Sequence, residues 1–270
     1  MKKILFCTDL SENCKGVVQF ISDWISGSNY IVDVAHAYDP NMVTFSSINI
    51  IKSEDIQKEM IQKMQDHLKD YLNGLPAENR GNTHLIADSS FSDALIEKAK
   101  ALEVDLIITG LRQKYTLLDR FFGSTAAHMV SDSSIPLMVV PYLRNFETFD
   151  HIVFPTAIGS RDQLTEAEED ALGWIYENLK SNAQRKLHLV HIEDDKEAIE
   201  LKFEHYPFSQ MDFTRSYSPD VAAGIIDYLN AHDVDLLAIY RPAKNIWEKI
   251  YKSSVAKKLL FKSHLPILFL

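Results

Sequence analysis

The 270-residue chain has only two cysteines, Cys7 and Cys14. Two cysteines cannot build a disulfide framework, and neither spacing suits a zinc site. A reducing cytoplasm is the expected setting. Long hydrophobic runs are also missing. No apolar stretch reaches the roughly 18 residues of a membrane span, and Met1-Lys-Lys leads straight into the strand-like Ile4-Leu5-Phe6 rather than an export signal. Neither a membrane nor a secretory route is expected. There is no basic excess: the net charge is −10, with fourteen basic against eighteen acidic residues up to Asn145 and the remaining −6 beyond it. Acidity in both halves leaves no face to attract a polyanion, which argues against nucleic acid. With 46% hydrophobic and 24% charged residues, the composition carries no disorder signature, and the length suits two domains of ordinary size.

What the chain does contain is a repetition. Val104-Asp-Leu-Ile-Ile-Thr-Gly110 returns as Val234-Asp-Leu-Leu-Ala-Ile-Tyr240. In the first half Lys3–Thr8 reads as a buried strand, and Val17, Phe20, Ile21, Trp24 and Ile25 mark one face of a helix. Tyr30–His36 is the next strand, followed by a long helix carrying Ile56, Met60, Met64 and Leu68 on one face; Met60, Met64 and Leu68 form an apolar stripe expected to pack on the sheet, with a ligand-facing or partner-facing role as the alternative. Thr83–Ala87, a helix over Ser92–Leu102, the strand Val104–Thr109, a helix from about Ser124 and the strand Pro136–Pro141 complete the half. Strands alternating with helices imply a parallel sheet with right-handed crossovers.

After a connector from Tyr142 to Phe149, His151–Thr156 answers the first strand and Leu187–Ile192 the second, placing His191 opposite His36. Thr165-Glu-Ala-Glu168 has the form of a capping box, and Ser218-Pro-Asp220 opens the helix before Val234. The first strands are offset by 148 residues and the fourth by 130, so the second half lacks 18 residues between these landmarks. The loss falls mainly after Ile192, leaving the methionine-bearing helix only a stub as counterpart. The expected domains are 1–145 and 149–270.

Thr8-Asp9, His36, Val104–Gly110, Gly123-Ser124-Thr125 and Ile135–Pro141 together resemble the universal stress protein family. The resemblance covers nearly the whole chain in two copies, except the segment between the second and third strands of each half. It implies two tandem open five-stranded parallel α/β sheets with helices on both faces, the adenine nucleotide alpha hydrolase-like fold. It also implies pairing of the two domains through their last strands, Leu137–Val140 and Ile267–Phe269, as a pseudo-dimer within one chain or as a homodimer.

One subclass of the family binds ATP and carries G-x2-G-x9-G followed by Ser or Thr after its fourth strand. Glycines let the backbone approach sugar and phosphates, and the last of them opens a helix whose free amides meet the anion. This chain reads Gly110-Leu-Arg112-Gln113, nine residues, then Gly123-Ser124. Gln113 replaces the middle glycine, while Arg112 and Lys114 offer charge. By resemblance, Asp9 would accept hydrogen bonds from the ribose or the adenine edge, Cys7 and Thr8 would line the base, and Ala37 would close over it. Thr109, Gly110, Gly123, Ser124 and Thr125 would hold sugar and phosphates. The plain alternative is that Asp9 caps a turn and Gly110 ends a strand. In the second half Asp9, Gly110, Gln113 and Gly123 become Ala157, Tyr240, Ala243 and Ser253, so no nucleotide is expected there.

Two function classes follow. One is a stress-response binding and signalling protein holding ATP with magnesium in its first domain and changing its affinity for a protein partner. The other is a regulatory or chaperone-like interaction protein that binds no nucleotide. Enzymatic action such as slow ATP hydrolysis ranks third, because the chain has no P-loop and no His-x-Gly-His pair. Ser124, His128 and Asp132 lie along one helix face without converging, His36 and His191 suit structural roles, and Glu193-Asp194-Asp195 reads as a solvated loop rather than a cation site.

Overall fold

The computed structural model describes residues 2–41, 53–111, 124–141, 145–146, 148–156, 164–179, 185–193, 210–241 and 265–270. The chain divides into two compact units, Met1–Phe146 and Glu147–Leu270.

The first unit runs β1 (Lys2–Cys7), α1 (Cys14–Ile25), β2 (Tyr30–Tyr38), α2 (Ser53–Asn73), β3 (Arg80–Ala87), α3 (Phe91–Ala101), β4 (Leu106–Leu111), α4 (Ser124–Asp132) and β5 (Leu137–Pro141). Its strands lie in the order β3-β2-β1-β4-β5, every neighbour parallel. Central strands of a parallel sheet are covered on both faces and so are apolar throughout; Ile4, Leu5 and Phe6 of β1 and Ile107 and Ile108 of β4 are fully buried. On one face α1 and α2 pack together. Phe6 meets the ring of Tyr71 edge-on at 6.3 Å, and a Cβ at Gly74 would come within 2.7 Å of Val18, so glycine sets the closeness of that contact. α3 and α4 lie against each other.

The second unit repeats the plan with β6 (His151–Pro155), α5 (Glu166–Asn178), β7 (Lys186–Glu193), β8 (Gln210–Tyr217), α6 (Val221–Ala231), β9 (Leu236–Ile239) and β10 (Ile267–Phe269). The order is β10-β9-β6-β7-β8, again parallel. The capping box at the start of α5 is complete: Thr165 accepts from the Glu168 amide, and the Glu168 carboxylate accepts from the Thr165 amide. α6 is capped by Asp220, which accepts from the amides of Ala222 and Ala223. The proposed stub after Ile192 lies outside the described residues, as do Asp194 and Asp195.

The repeated Val-Asp-Leu phrase now has a physical reason. In the first unit the Asp105 carboxylate accepts from the Lys3 amide at 2.7 Å, and the Asp105 amide donates to the Lys3 carbonyl at 2.9 Å. In the second, Asp235 accepts from the amides of Asp150 and His151, both at 2.9 Å, and donates to the His151 carbonyl. Each aspartate thus latches the amino end of its unit's first strand.

Candidate functional site

Strand order reverses at β1 in the first unit, with β2 on one side and β4 on the other. In open α/β sheets ligands settle beyond the carboxyl ends of strands at such a switch point. A cavity of about 600 Å³ opens there, within the range of small-molecule sites.

Seven of the residues singled out in the sequence line it together: Cys7, Thr8, Asp9, Ala37, Thr109, Gly110 and Thr125. Ser124 begins α4, so the helix N-terminus opens beside Thr125. Arg112, Gln113 and Gly123, with Lys114, lie outside the described residues, as do Ala157, Ala243 and Ser253.

The rim is built by local hydrogen bonds. Thr8 donates its amide to the Ala35 carbonyl at 2.9 Å, which carries β1 one residue further along β2. The Thr8 hydroxyl accepts from the Leu10 amide at 3.0 Å, and Leu10 turns the chain with φ 59°, a left-handed conformation uncommon outside glycine. Asp9 accepts from the Ser11 amide at 3.0 Å and from the Cys14 thiol at 3.3 Å. The carboxylate therefore does cap a turn, and it also faces the cavity. Burial, helped by the charge of Asp9, pushes the Cys14 thiol up from its ordinary value, which keeps it a protonated donor. Cys7 is raised further by burial alone. Both are free thiols.

His36 lies 2.8 Å from the Thr8 carbonyl through Nδ1. A carbonyl only accepts, so Nδ1 carries the proton. Burial lowers the His36 pKa, partly offset by that bond and by Asp9, and the neutral ring presents Nε2 as an acceptor. The second unit repeats the arrangement, with His191 Nδ1 3.0 Å from the Thr156 carbonyl. Gly110 is explained by packing: a Cβ there would stand 3.1 Å from Val17 of α1.

Part of the lining was not anticipated from the sequence. Cys14 and Val17 come from α1, Phe91 and Leu95 from α3, and Met129 from α4. Met129 falls one helical turn after Thr125, a spacing that could have flagged it. The apolar stripe of α2 divides. Leu68 is buried against the unit as expected, but Met60 and Met64 line the cavity, and Ile56 and Met60 are 43% and 37% exposed. The cause is length. The Tyr71 hydroxyl already reaches the Ser11 carbonyl at 2.9 Å in the loop after β1, so the preceding turns, rising about 1.5 Å per residue, run on past the sheet.

His128 and Asp132 of α4 lie 3.9 Å apart with side chains 66% and 37% exposed, a solvated pair. Among the described residues no group of three or more His, Cys, Asp or Glu could hold a metal ion.

The sequence profile described as the universal stress protein family matches residues 1–141. The chain belongs to the universal stress protein family. A universal stress protein from Archaeoglobus fulgidus DSM 4304 is similar in fold over 99% of this chain and 97% of its own, with a TM-score of 0.63 at 14% identity. A putative universal stress protein from Pseudomonas aeruginosa UCBPP-PA14 is similar over 100% of this chain and 93% of its own, with a TM-score of 0.61 at 11% identity. No curated protein sequence matches the chain significantly. At such identities the likeness is one of fold. Among the described residues no helix is long and apolar enough to cross a membrane.

In the second unit of this universal stress protein two of the matching positions carry larger groups, Ile192 for Ala37 and Tyr240 for Gly110. His191 aligns with His36, so Ile192 stands where Ala37 leaves room. Ile192 is itself buried, and a Cβ on Gly224 of α6 would come within 2.8 Å of it. The matching residue of α3 is Ala94. The Thr156 hydroxyl donates to Glu168 at 2.8 Å, and the second Glu168 oxygen accepts from the Thr165 amide and hydroxyl, both at 2.9 Å. A buried, satisfied carboxylate thus stands at the start of α5.

Proposed function

We propose that the first unit binds ATP as its magnesium complex, that the second unit binds none, and that the protein is a cytoplasmic stress-response module whose affinity for a protein partner follows occupancy. The observation that carries this reading is the single cavity shared by the seven motif residues at the carboxyl ends of β1, β2 and β4. In it the base would lie against Cys7, Thr8 and Ala37, with the ribose hydroxyls donating to Asp9 and with Thr109 and Gly110 beside the sugar. Phosphates would extend toward the amino end of α4, where unpaired amides and the helix dipole favour negative charge. Gly123, Ser124, Arg112 and Gln113 complete the proposed set on sequence grounds. Magnesium would arrive with the phosphates, as it does where the protein supplies no full oxygen cage. Holding rather than cleaving is the proposed action, since His128 is exposed beside Asp132 rather than directed at a nucleophile.

Calorimetric titration of the full chain with MgATP tests this. One site per chain is expected, lost in Asp9→Ala and strengthened in Gln113→Gly. Zero sites would favour the interaction protein that binds no nucleotide, and two would overturn the assignment of the second unit.

A further inference from the structure

The cavity is larger than its polar rim. Beyond Asp9 and Thr109 its lining turns apolar, with Met60 and Met64 on the free half of α2, Phe91 and Leu95 on α3, and Met129 on α4. Leu95 and Met129 are buried at 4% and 1% exposure, so they form a fixed floor. The α2 part of the lining is different. Met64 is half-buried and Met60 exposed on a helix segment in which Gln57 and Ile61 are also half-buried and, among its described residues, no side chain is fully buried before Leu68.

The charge around that segment fits neither a core contact nor a membrane-binding face. Gln57, Lys58, Glu59, Gln62 and Lys63 surround the methionines, and Lys63 pairs with Glu59. The helix is polar outside and offers thioethers inward. Methionine side chains adapt to the shape placed against them, and their sulfur favours the edge of an aromatic ring. Phe91 adds a ring for offset or edge-on stacking.

We infer that the free half of α2 gives the crevice a second, apolar compartment, apart from the place proposed for adenine, that takes an aromatic ring carried by a ligand in addition to its base, with Met60, Met64, Phe91 and Met129 as its lining. This deepens the nucleotide reading and rests on it only for the polar end of the ligand. The compartment would decide which ring-bearing ligands the unit prefers, through residues in a segment absent from the recurring family pattern of the chain.

The test uses the full chain and 1-anilinonaphthalene-8-sulfonate, an aromatic probe with one anionic group, followed by fluorescence titration. One saturable site is expected. Met60→Gln with Met64→Gln should weaken it by about tenfold, and Met60→Gln alone, at an exposed position, by about threefold; the single variant serves if the double one does not fold. Ile56→Gln removes an exposed apolar side chain of the same helix that does not line the cavity, and should leave the titration unchanged. Calorimetric titration of the same chain with MgATP tells the two ideas apart. Probe binding that needs the methionines in a chain that takes up no MgATP keeps the compartment and removes the nucleotide. Binding indifferent to Met60 and Met64, equally weakened by Ile56→Gln, or absent altogether overturns the compartment. Tighter binding of decanoate than of the aromatic probe at the same methionines overturns its preference for a ring.

Discussion

The two units keep the same framework bonds and carry different side chains around them. Thr8 and Thr156 each donate an amide to the second strand, His36 and His191 each donate to the carbonyl of that threonine, and Asp105 and Asp235 each latch a first strand. Against this constancy, Ala37 and Ala94 become Ile192 and Gly224, Asp9 is matched in sequence by Ala157, and the start of α5 carries Glu168 bonded by Thr156 and Thr165. The exchange at Ile192 and Gly224 adds bulk at one position and removes a methyl at the facing one, where a Cβ would come within 2.8 Å of Ile192, so the glycine makes room for part of the larger side chain and the overpacking that cores resist is avoided. The difference teaches that the bonds shaping the sheet are separable from the side chains that make it a receptacle.

Moving the second unit's filling into the first gives the sharpest test. Ala37→Ile with Ala94→Gly should leave the chain folded and reduce MgATP binding about a hundredfold, roughly 2.7 kcal/mol, by calorimetry; unchanged affinity would mean that the crevice is not the site. Next in size, Glu168→Ala removes a buried carboxylate that satisfies the Thr156 hydroxyl and the Thr165 amide and hydroxyl. A loss of about 2–3 kcal/mol is expected from the orphaned donors and the lost cap, measured by urea unfolding, with no effect on ligand affinity. Gly224→Ala should cost about 1–3 kcal/mol through overpacking on Ile192, and adding Ile192→Val should recover part of it; additive losses would show that the two residues do not compensate.

The smallest effect depends on pH. Burial holds the folded His36 pKa below its ordinary 6.5, so below that value the unfolded chain binds a proton that the folded chain refuses. Stability from this group is present above about pH 6.5 and is lost as pH falls toward the folded pKa, with a slope of at most about 1.4 kcal/mol per pH unit. His36→Asn retains a donor for the Thr8 carbonyl and should flatten that part of the acid limb in denaturant titrations against pH. His188, also lowered chiefly by burial, continues to contribute in the second unit.

Much of the fold was legible because it repeats and because central parallel strands are continuous apolar runs. The phrase at Val104 and Val234, the periodicity of α1, the capping box and the last strands each carried their own signal. The edge strands of the units were harder. β3 begins at Arg80-Gly81-Asn82, earlier than the apolar run from Thr83 suggests, and β8 mixes Asp212, Thr214 and Arg215 with its apolar residues; one side of each is unpaired within its unit, so burial imposes a weaker pattern. The strand-end residues of the site were legible through motif spacing. Met60 and Met64 were legible only as the alternative to packing on the sheet, since periodicity identifies a helix face without saying where the sheet stops beneath it. The match between Ile192 and Gly224, which lie far apart in sequence and are paired only by packing, was not legible.

Asp105 and Asp235 sit at the amino ends of the strands, and in the first unit this is the end opposite the crevice, with a consequence for how such a chain changes over time. The fastenings of the fold lie on one margin and the receptacle on the other, so substitutions that abolish binding leave the fastenings untouched. A unit that gave up ligand binding would therefore keep its architecture.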